Sequence, residues 1–256
     1  MCATFASAAP NEDEAYVLTR PERTPEQVEQ AYAGIPPVRY EPPADRWKRL
    51  PRTATILGKE KGEPRELRVV MLGDSIVNDT SRSGWDGILQ RHYPNCRITK
   101  ITCVRGSTGC WWYKEPGRVK RYVLDHRPDL LVIGGISQRE DVDSIRDVIA
   151  QVRRDSGCDV LLMTGAFGTT NPRDDKQWRF EIDPKGNDYR ARLMRLAAEV
   201  NAGFLDMTGQ WGKYVRESGR DLEWFKRDTI HANERGEQIL GRILAAHLAP
   251  PVKVGD

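Results

Sequence analysis

The sequence lacks a strong charge of either sign. Its 40 lysines and arginines against 37 aspartates and glutamates leave a formal net charge of +3 over 256 residues. This balance gives no electrostatic reason to expect a nucleic-acid partner. No apolar run approaches the roughly 20 residues of a membrane-spanning helix, so we expect no membrane partner either. The length allows a full hydrophobic core, and we expect one main domain plus an extension.

Cysteine is scarce as well. None of the five cysteines forms a Cys-x-x-Cys pair, which leaves little support for a zinc or redox site. Cys103 and Cys110 could pair in an exported protein, but free buried thiols fit cysteines in or beside strands better. Residues 1–10 lack the basic and apolar regions of an intact signal peptide. Residues 6–9 as the remnant of a trimmed signal are a weak alternative, so the compartment stays open.

The first 65 residues differ from the rest because they hold nine of the sixteen prolines. Proline disfavours regular pairing, so we predict an extended arm over residues 1–65 that packs on a domain of residues 66–256. One short helix fits inside the arm, with Thr24 as its N-cap and Gly34 at its end. Three apolar side chains are predicted to anchor the arm to the core: Tyr40, Trp47 and Leu50.

From residue 67 onward, apolar runs alternate with amphipathic stretches. The predicted strands cover residues 67–72, 98–104, 130–136, 160–164 and 204–207, and the predicted helices cover 85–92, 118–125, 142–154, 189–201 and 234–247. Continuous apolar strands separated by helices indicate a parallel sheet that is covered on both faces. We therefore predict an α/β protein, a three-layer α/β/α sandwich around a five-stranded parallel sheet.

Two motifs far apart in the chain carry the chemistry of acyl transfer. Gly73-Asp74-Ser75 ends the first predicted strand, where a serine can be held exposed as a nucleophile. Asp228-Thr229-Ile230-His231 precedes the last predicted helix, and its aspartate can orient its histidine as a general base. Asp79, near the serine, is interpreted as a cap of the following helix, with substrate contact as the alternative.

These motifs resemble the first and last blocks of the SGNH/GDSL hydrolase family, over roughly residues 67–248. The resemblance implies that Ser75, His231 and Asp228 are the catalytic residues, and that Ser75 and Gly109 donate backbone N–H groups to the oxyanion, with Gly106 as the alternative to Gly109. It also implies a flavodoxin-like sandwich and hydrolysis of carboxylic esters, often acetyl esters on carbohydrates. The mechanism requires no metal or organic cofactor.

The third block departs from the family pattern Gly-x-Asn-Asp, whose asparagine donates to the oxyanion. This chain reads Gly134-Gly135-Ile136-Ser137-Gln138. Isoleucine cannot donate a hydrogen bond, and the loss of one oxyanion donor costs about 3–4 kcal/mol of barrier. Either Ser137 or Gln138 substitutes for the asparagine, or backbone donors act alone.

The substrate is less clearly marked. Trp111 and Trp112 follow Gly109, where they could stack on a sugar ring or form a hydrophobic plug. Without a long apolar lid-like segment, we expect acetyl or other short acyl groups on a carbohydrate or polar alcohol. The partner is then a small-molecule or oligosaccharide ester, and the oligomeric state stays open. A non-catalytic carbohydrate-binding protein and an acyltransferase with the same triad are the alternatives.

Overall fold

The computed structural model describes residues 14–19, 24–58, 65–166, 168–183, 185–186 and 188–250. The trimmed signal considered above and Cys2 lie outside these residues. Within them, no helix combines the length and apolar character needed to cross a membrane.

The centre of the molecule is a parallel sheet with one antiparallel edge strand. Within the described residues its strands are β1 (Tyr16–Leu18), β2 (Arg65–Gly73), β3 (Cys96–Val104), β4 (Leu130–Ile133), β5 (Asp159–Met163) and β6 (Gly203–Leu205). They are arranged in the order β1-β3-β2-β4-β5-β6. Strands β2 to β6 pair in parallel, with the order of a flavodoxin-like fold.

The predicted number of five strands is wrong, because a sixth strand comes from the arm. Strand β1 pairs antiparallel with β3, where Tyr16 lies opposite Val104 and Leu18 opposite Thr102. The edge of β3 offers unpaired backbone groups, and even a three-residue segment can satisfy some of them. The sheet is therefore mixed, and its parallel part has the predicted five strands.

Helices cover both faces of the sheet. They are α1 (Pro25–Tyr32), α2 (Pro51–Gly58), α3 (Ser75–Arg82), α4 (Trp85–His92), α5 (Cys110–Tyr113), α6 (Arg118–Tyr122), α7 (Val142–Asp155), α8 (Asp175–Ile182), α9 (Asp188–Glu199), α10 (Met207–Glu217) and α11 (Glu234–Leu248). The alternation of side chains along β2 separates the two layers. Val69 and Met71 join the core beneath α3, α4, α10 and α11, whereas Val70 and Leu72 join the core beneath α5, α6, α7 and α9. This confirms the three-layer sandwich.

The described part of the arm is more regular than predicted. Thr24 caps α1 through a reciprocal pair of hydrogen bonds with Gln27, so the predicted helix is present. Leu50 is fully buried, and the side chains of Tyr40 and Trp47 pack against the same core. The second helix, α2, was not expected from the proline content.

The described cysteines are free and buried: Cys96, Cys103, Cys110 and Cys158. The disulfide considered between Cys103 and Cys110 is therefore absent among these residues. Burial raises the pKa of the Cys103 thiol to about 12, so this cysteine stays protonated at neutral pH.

Candidate active site

Ser75 is the first residue of α3 and lies at the carboxyl end of β2. The strand ends at Gly73, where a Cβ would lie 2.5 Å from the Val77 side chain and 2.6 Å from the Gly134 carbonyl oxygen. Only glycine allows so close an approach between these two segments. Asp74 then caps α3 by accepting the Ile76 N–H at 2.9 Å. The turn from strand to helix leaves Ser75 partly exposed.

The aspartate-histidine motif lies beside this serine. The Ser75 Oγ and His231 Nε2 atoms are 2.8 Å apart, and His231 Nδ1 lies 2.9 Å from Asp228 Oδ2. Asp228 Oδ1 also accepts the backbone N–H groups of Ile230 and His231, at 2.7 and 2.8 Å. These hydrogen bonds hold the pKa of Asp228 well below its usual range, so the carboxylate is ionised opposite the imidazole. The three side chains form one hydrogen-bonded line.

Asp74 connects the third block, residues 134–138, to the turn that carries Ser75. Its buried carboxylate accepts the N–H groups of Ile136 and Ser137 at 2.8 and 2.7 Å. Burial raises the pKa of Asp74, and the hydrogen bonds oppose this effect. Gly135 passes the carboxylate with a φ of +102°. Ser137, expected as an oxyanion donor, is held at this turn through its backbone N–H.

The Gln138 side chain also forms hydrogen bonds that hold the third block in place. Its Oε1 accepts the Cys110 N–H at 2.8 Å, and its Nε2 donates to the Gly134 carbonyl at 2.8 Å. The side chain is buried and joins the second block, residues 104–109 with the adjacent Cys110, to the third block, which speaks against its use as an oxyanion donor. Gly109 lies in this junction, where a Cβ would be 2.8 Å from the Ser137 oxygen.

The two glycines considered for the oxyanion site differ in environment. Gly109 is buried against the third block, whereas Gly106 is exposed and a Cβ on it would meet no atom within 4 Å. Among the residues described, no acceptor is assigned to the N–H of Ser75 or of Gly109. Backbone N–H groups that are not engaged elsewhere can bind a developing negative charge.

Trp111 and Trp112 differ in their exposure to solvent. Trp112 is only 7% exposed and packs against Tyr113 and Tyr122, with the Arg118 guanidinium 3.8 Å from its ring centroid. This burial speaks against its predicted contact with substrate and favours the plug. Trp111 is partly exposed, and its Nε1 donates to the Ser137 carbonyl at 2.9 Å. Of these two tryptophans, Trp111 is the one with exposed surface that a ligand can reach.

Asp79 has a role that the sequence did not reveal. Its carboxylate does not cap the following helix but accepts the N–H of Ala232, the residue after His231, at 2.9 Å. The Arg227 guanidinium lies 2.9 Å from its other oxygen. No sequence signal connects these residues, since about 150 positions separate them. The described residues contain no group of three or more His, Cys, Asp or Glu arranged to hold a metal ion.

A serine, a histidine and an aspartate in line at the carboxyl end of a flavodoxin-like sheet form the arrangement of an acyl-transfer hydrolase. Comparison with family models gives the same class, because residues 71–239 match the GDSL-like Lipase/Acylhydrolase family. The chain belongs to this family and is a carboxylic ester hydrolase.

Solved structures share the fold. A catalytic mutant of Axe2, an acetylxylan esterase from Geobacillus stearothermophilus, is 17% identical with a TM-score of 0.55, and the match covers 74% of this chain and 96% of that chain. A two-domain esterase active on acetylated mannans is 16% identical with a TM-score of 0.55, covering 72% of this chain and 49% of that chain. Identities this low support the fold alone. No curated protein sequence matches the chain.

Proposed function

We propose that the protein hydrolyses short acyl esters, above all acetyl esters of a carbohydrate or polar alcohol, through an acyl-Ser75 intermediate. The observation that carries this proposal is the hydrogen-bonded line from Ser75 Oγ through His231 to the Asp228 carboxylate. Each atom is within the reach that proton transfer and tautomer control require.

In this mechanism His231 Nε2 takes the Ser75 proton while Oγ attacks the ester carbonyl carbon. The tetrahedral intermediate then expels the alcohol, which receives the proton from His231. Water, deprotonated by the same imidazole, attacks the acyl-serine. The second tetrahedral intermediate releases the carboxylic acid as the Ser75 oxygen leaves and regains its proton from His231. Asp228 keeps the Nδ1 proton of His231 in place and stabilises the imidazolium that forms at each step.

The oxyanion in our proposal is bound by the N–H groups of Ser75 and Gly109. Support comes from Gln138, whose amide is engaged with Cys110 and Gly134 instead of the oxyanion. Gln138 then acts by fixing the position of Gly109. In our proposal the third block supplies no side-chain donor, and the two backbone donors act alone.

The proposal of a short acyl group rests on the surface beside the triad. Ile136 and Ile230 are 41% and 37% exposed, and each directly precedes a residue of the site. Ile136 also packs against Gly165. The acetylxylan esterase and the mannan-active esterase that share the fold make acetylated polysaccharides the first substrates to try.

We also propose that residues 1–65 are an arm on a hydrolase domain of residues 66–256. Two buried hydrogen bonds of 2.7 Å support this division, since Arg46 donates to the carbonyl groups of His247 and Ala249. They fasten the arm to the end of α11, away from Ser75, which fits a packing role.

The test is hydrolysis of p-nitrophenyl acetate by wild type, Ser75→Ala and His231→Ala. We expect both variants to lose activity by several orders of magnitude with an unchanged circular dichroism spectrum, because each removes a group that the chemical step requires. His92→Ala, at an exposed histidine, is the matched control and should keep full activity. Wild-type activity in either triad variant would refute the mechanism.

The substrate is tested separately, with acetyl, butyryl and octanoyl esters and with acetylated xylan and mannan oligosaccharides. We expect the acetyl esters to react fastest. A preference for the octanoyl ester would contradict the short acyl group. Transfer of the acyl group to an added alcohol, in place of free acid, would identify an acyltransferase.

A further inference from the structure

Asp79 is an unusual residue for its position. It lies four residues after Ser75 in α3, so both side chains emerge from the same face of this helix. Its carboxylate is fully buried, with 0% of the residue exposed. An ionised carboxylate at such depth is costly unless hydrogen bonds and a cation compensate it.

Both compensating partners belong to the loop that carries His231. One Asp79 oxygen accepts the Ala232 N–H at 2.9 Å, and the other lies 2.9 Å from Arg227 Nη1. Arg227 itself closes the loop, because its N–H donates to the His231 carbonyl at 3.1 Å and its guanidinium donates to the Ala232 carbonyl. Asp79 therefore holds the residues on both sides of His231.

The same contacts bring oppositely charged side chains together in the loop that carries His231. Arg227 Nε lies 4.0 Å from Asp228 Oδ2, and its Nη1 lies 3.5 Å from the buried Glu237. Glu237 in turn lies 3.5 Å from Arg82. Arg227 thus has three carboxylates within 4.0 Å: those of Asp79, Asp228 and Glu237. Without the Asp79 charge, the Arg227 cation would lie beside the triad aspartate with one counterion fewer.

We propose that Asp79 is a positioning residue for ester hydrolysis, which ties the His231 loop to the nucleophile helix and neutralises Arg227 within that loop. This inference rests on the proposed role of His231 as general base. Ser75 and Asp79 each contact the loop from successive turns of α3, so the distance between nucleophile and base is fixed at two points.

The charge of Asp79 gives a readout that a purely structural residue would lack. The acid limb of the pH dependence of kcat/KM reports the pKa of the general base in the free enzyme. An anion near an imidazole favours its protonated form, so Asp79→Asn should lower this apparent pKa. Arg227→Met removes a cation and should raise it. Asp228 is the other carboxylate facing His231, and both variants retain it.

The experiment measures kcat/KM for p-nitrophenyl acetate from pH 4 to 9. We expect the acid limb to move to lower pH in Asp79→Asn and to higher pH in Arg227→Met. Asp79→Asn should also lose about tenfold or more in kcat, with little change in KM. Asp86→Asn is the matched control: it breaks the 2.8 Å ion pair between Asp86 on α4 and Lys100 on β3 and should leave the profile unchanged.

The outcomes separate this inference from the proposed function. Wild-type acid limbs in both variants, with only a lower melting temperature, would overturn the role of Asp79 while Ser75→Ala still abolishes activity. An inactive wild-type protein would instead overturn the proposed function. If Asp79→Asn does not fold, the upward shift in Arg227→Met decides the matter, since a wild-type limb there contradicts the charge balance.

Discussion

Replacement of Gly109 by alanine tests the proposed oxyanion site directly. The backbone of Gly109 has φ −128° and ψ −169°, an extended conformation that alanine adopts without strain. The difficulty is a steric clash of the added methyl group. The new Cβ would lie 2.7 Å from Gln138 Oε1, 2.8 Å from Gln138 Cα and 2.8 Å from the Ser137 carbonyl oxygen. Two of these atoms belong to the backbone, so the second and third blocks must move apart.

The magnitude follows from the loss of one aligned donor. Removal of an oxyanion-hole hydrogen bond costs about 3–4 kcal/mol of transition-state stabilisation, or roughly 10²–10³ in kcat. KM should change little, because the donor acts mainly on the developing charge. The strain of one extra methyl group should lower the free energy of unfolding by about 1–3 kcal/mol, so the variant should remain folded at 25 °C.

The assay compares steady-state hydrolysis of p-nitrophenyl acetate and the melting temperature of both glycine variants. Gly106→Ala is the control, since its Cβ meets no atom within 4 Å and the residue is exposed. We expect wild-type kcat for Gly106→Ala. A large loss in Gly106→Ala together with normal turnover in Gly109→Ala would refute the assignment of the oxyanion donor.

The buried groups give further predictions. Trp112→Ala should lower the free energy of unfolding by about 3–5 kcal/mol in urea titrations and leave KM for p-nitrophenyl acetate unchanged, because the indole is a core side chain; a raised KM with wild-type stability would restore it as a substrate contact. Burial, with the nearby Arg46, lowers the pKa of His247 to about 3. Below pH 6.5 the unfolded chain binds a proton at His247, but the folded protein does not. The free energy of unfolding is therefore highest above pH 6.5 and falls on acidification, by about 2 kcal/mol at pH 5. His247→Phe should reduce the difference in unfolding free energy between pH 7 and pH 5 by that amount, and an unchanged difference would contradict the buried neutral imidazole.

Most of the parallel sheet could be predicted because its strands are buried on both faces. A strand such as β4, with Leu130, Leu131, Val132 and Ile133 all buried, reads as an apolar run with no competing period. Strand β1 could not be predicted in this way. Its three residues are largely exposed, and they form a strand only because β3 offers an open edge.

The Gly73-Asp74-Ser75 and Asp228-Thr229-Ile230-His231 motifs can be found in the sequence because each is a short local pattern. The supporting contacts cannot, since they join residues distant in sequence. Gln138 reaches Cys110 across 28 positions, and Asp79 reaches Ala232 across 153. Each of these is a polar side chain whose type is compatible with capping, solvation or catalysis. Only the fold decides which backbone group it meets.

The central claim is that Ser75 is the nucleophile, and covalent labelling tests it most directly. A fluorophosphonate probe reacts with a serine that an adjacent base activates and forms a stable adduct. We predict that intact-protein mass spectrometry finds one adduct per wild-type chain, that peptide mapping locates it on Ser75, and that Ser75→Ala remains unlabelled. Equal labelling of Ser75→Ala, or an adduct on another residue, would contradict the account.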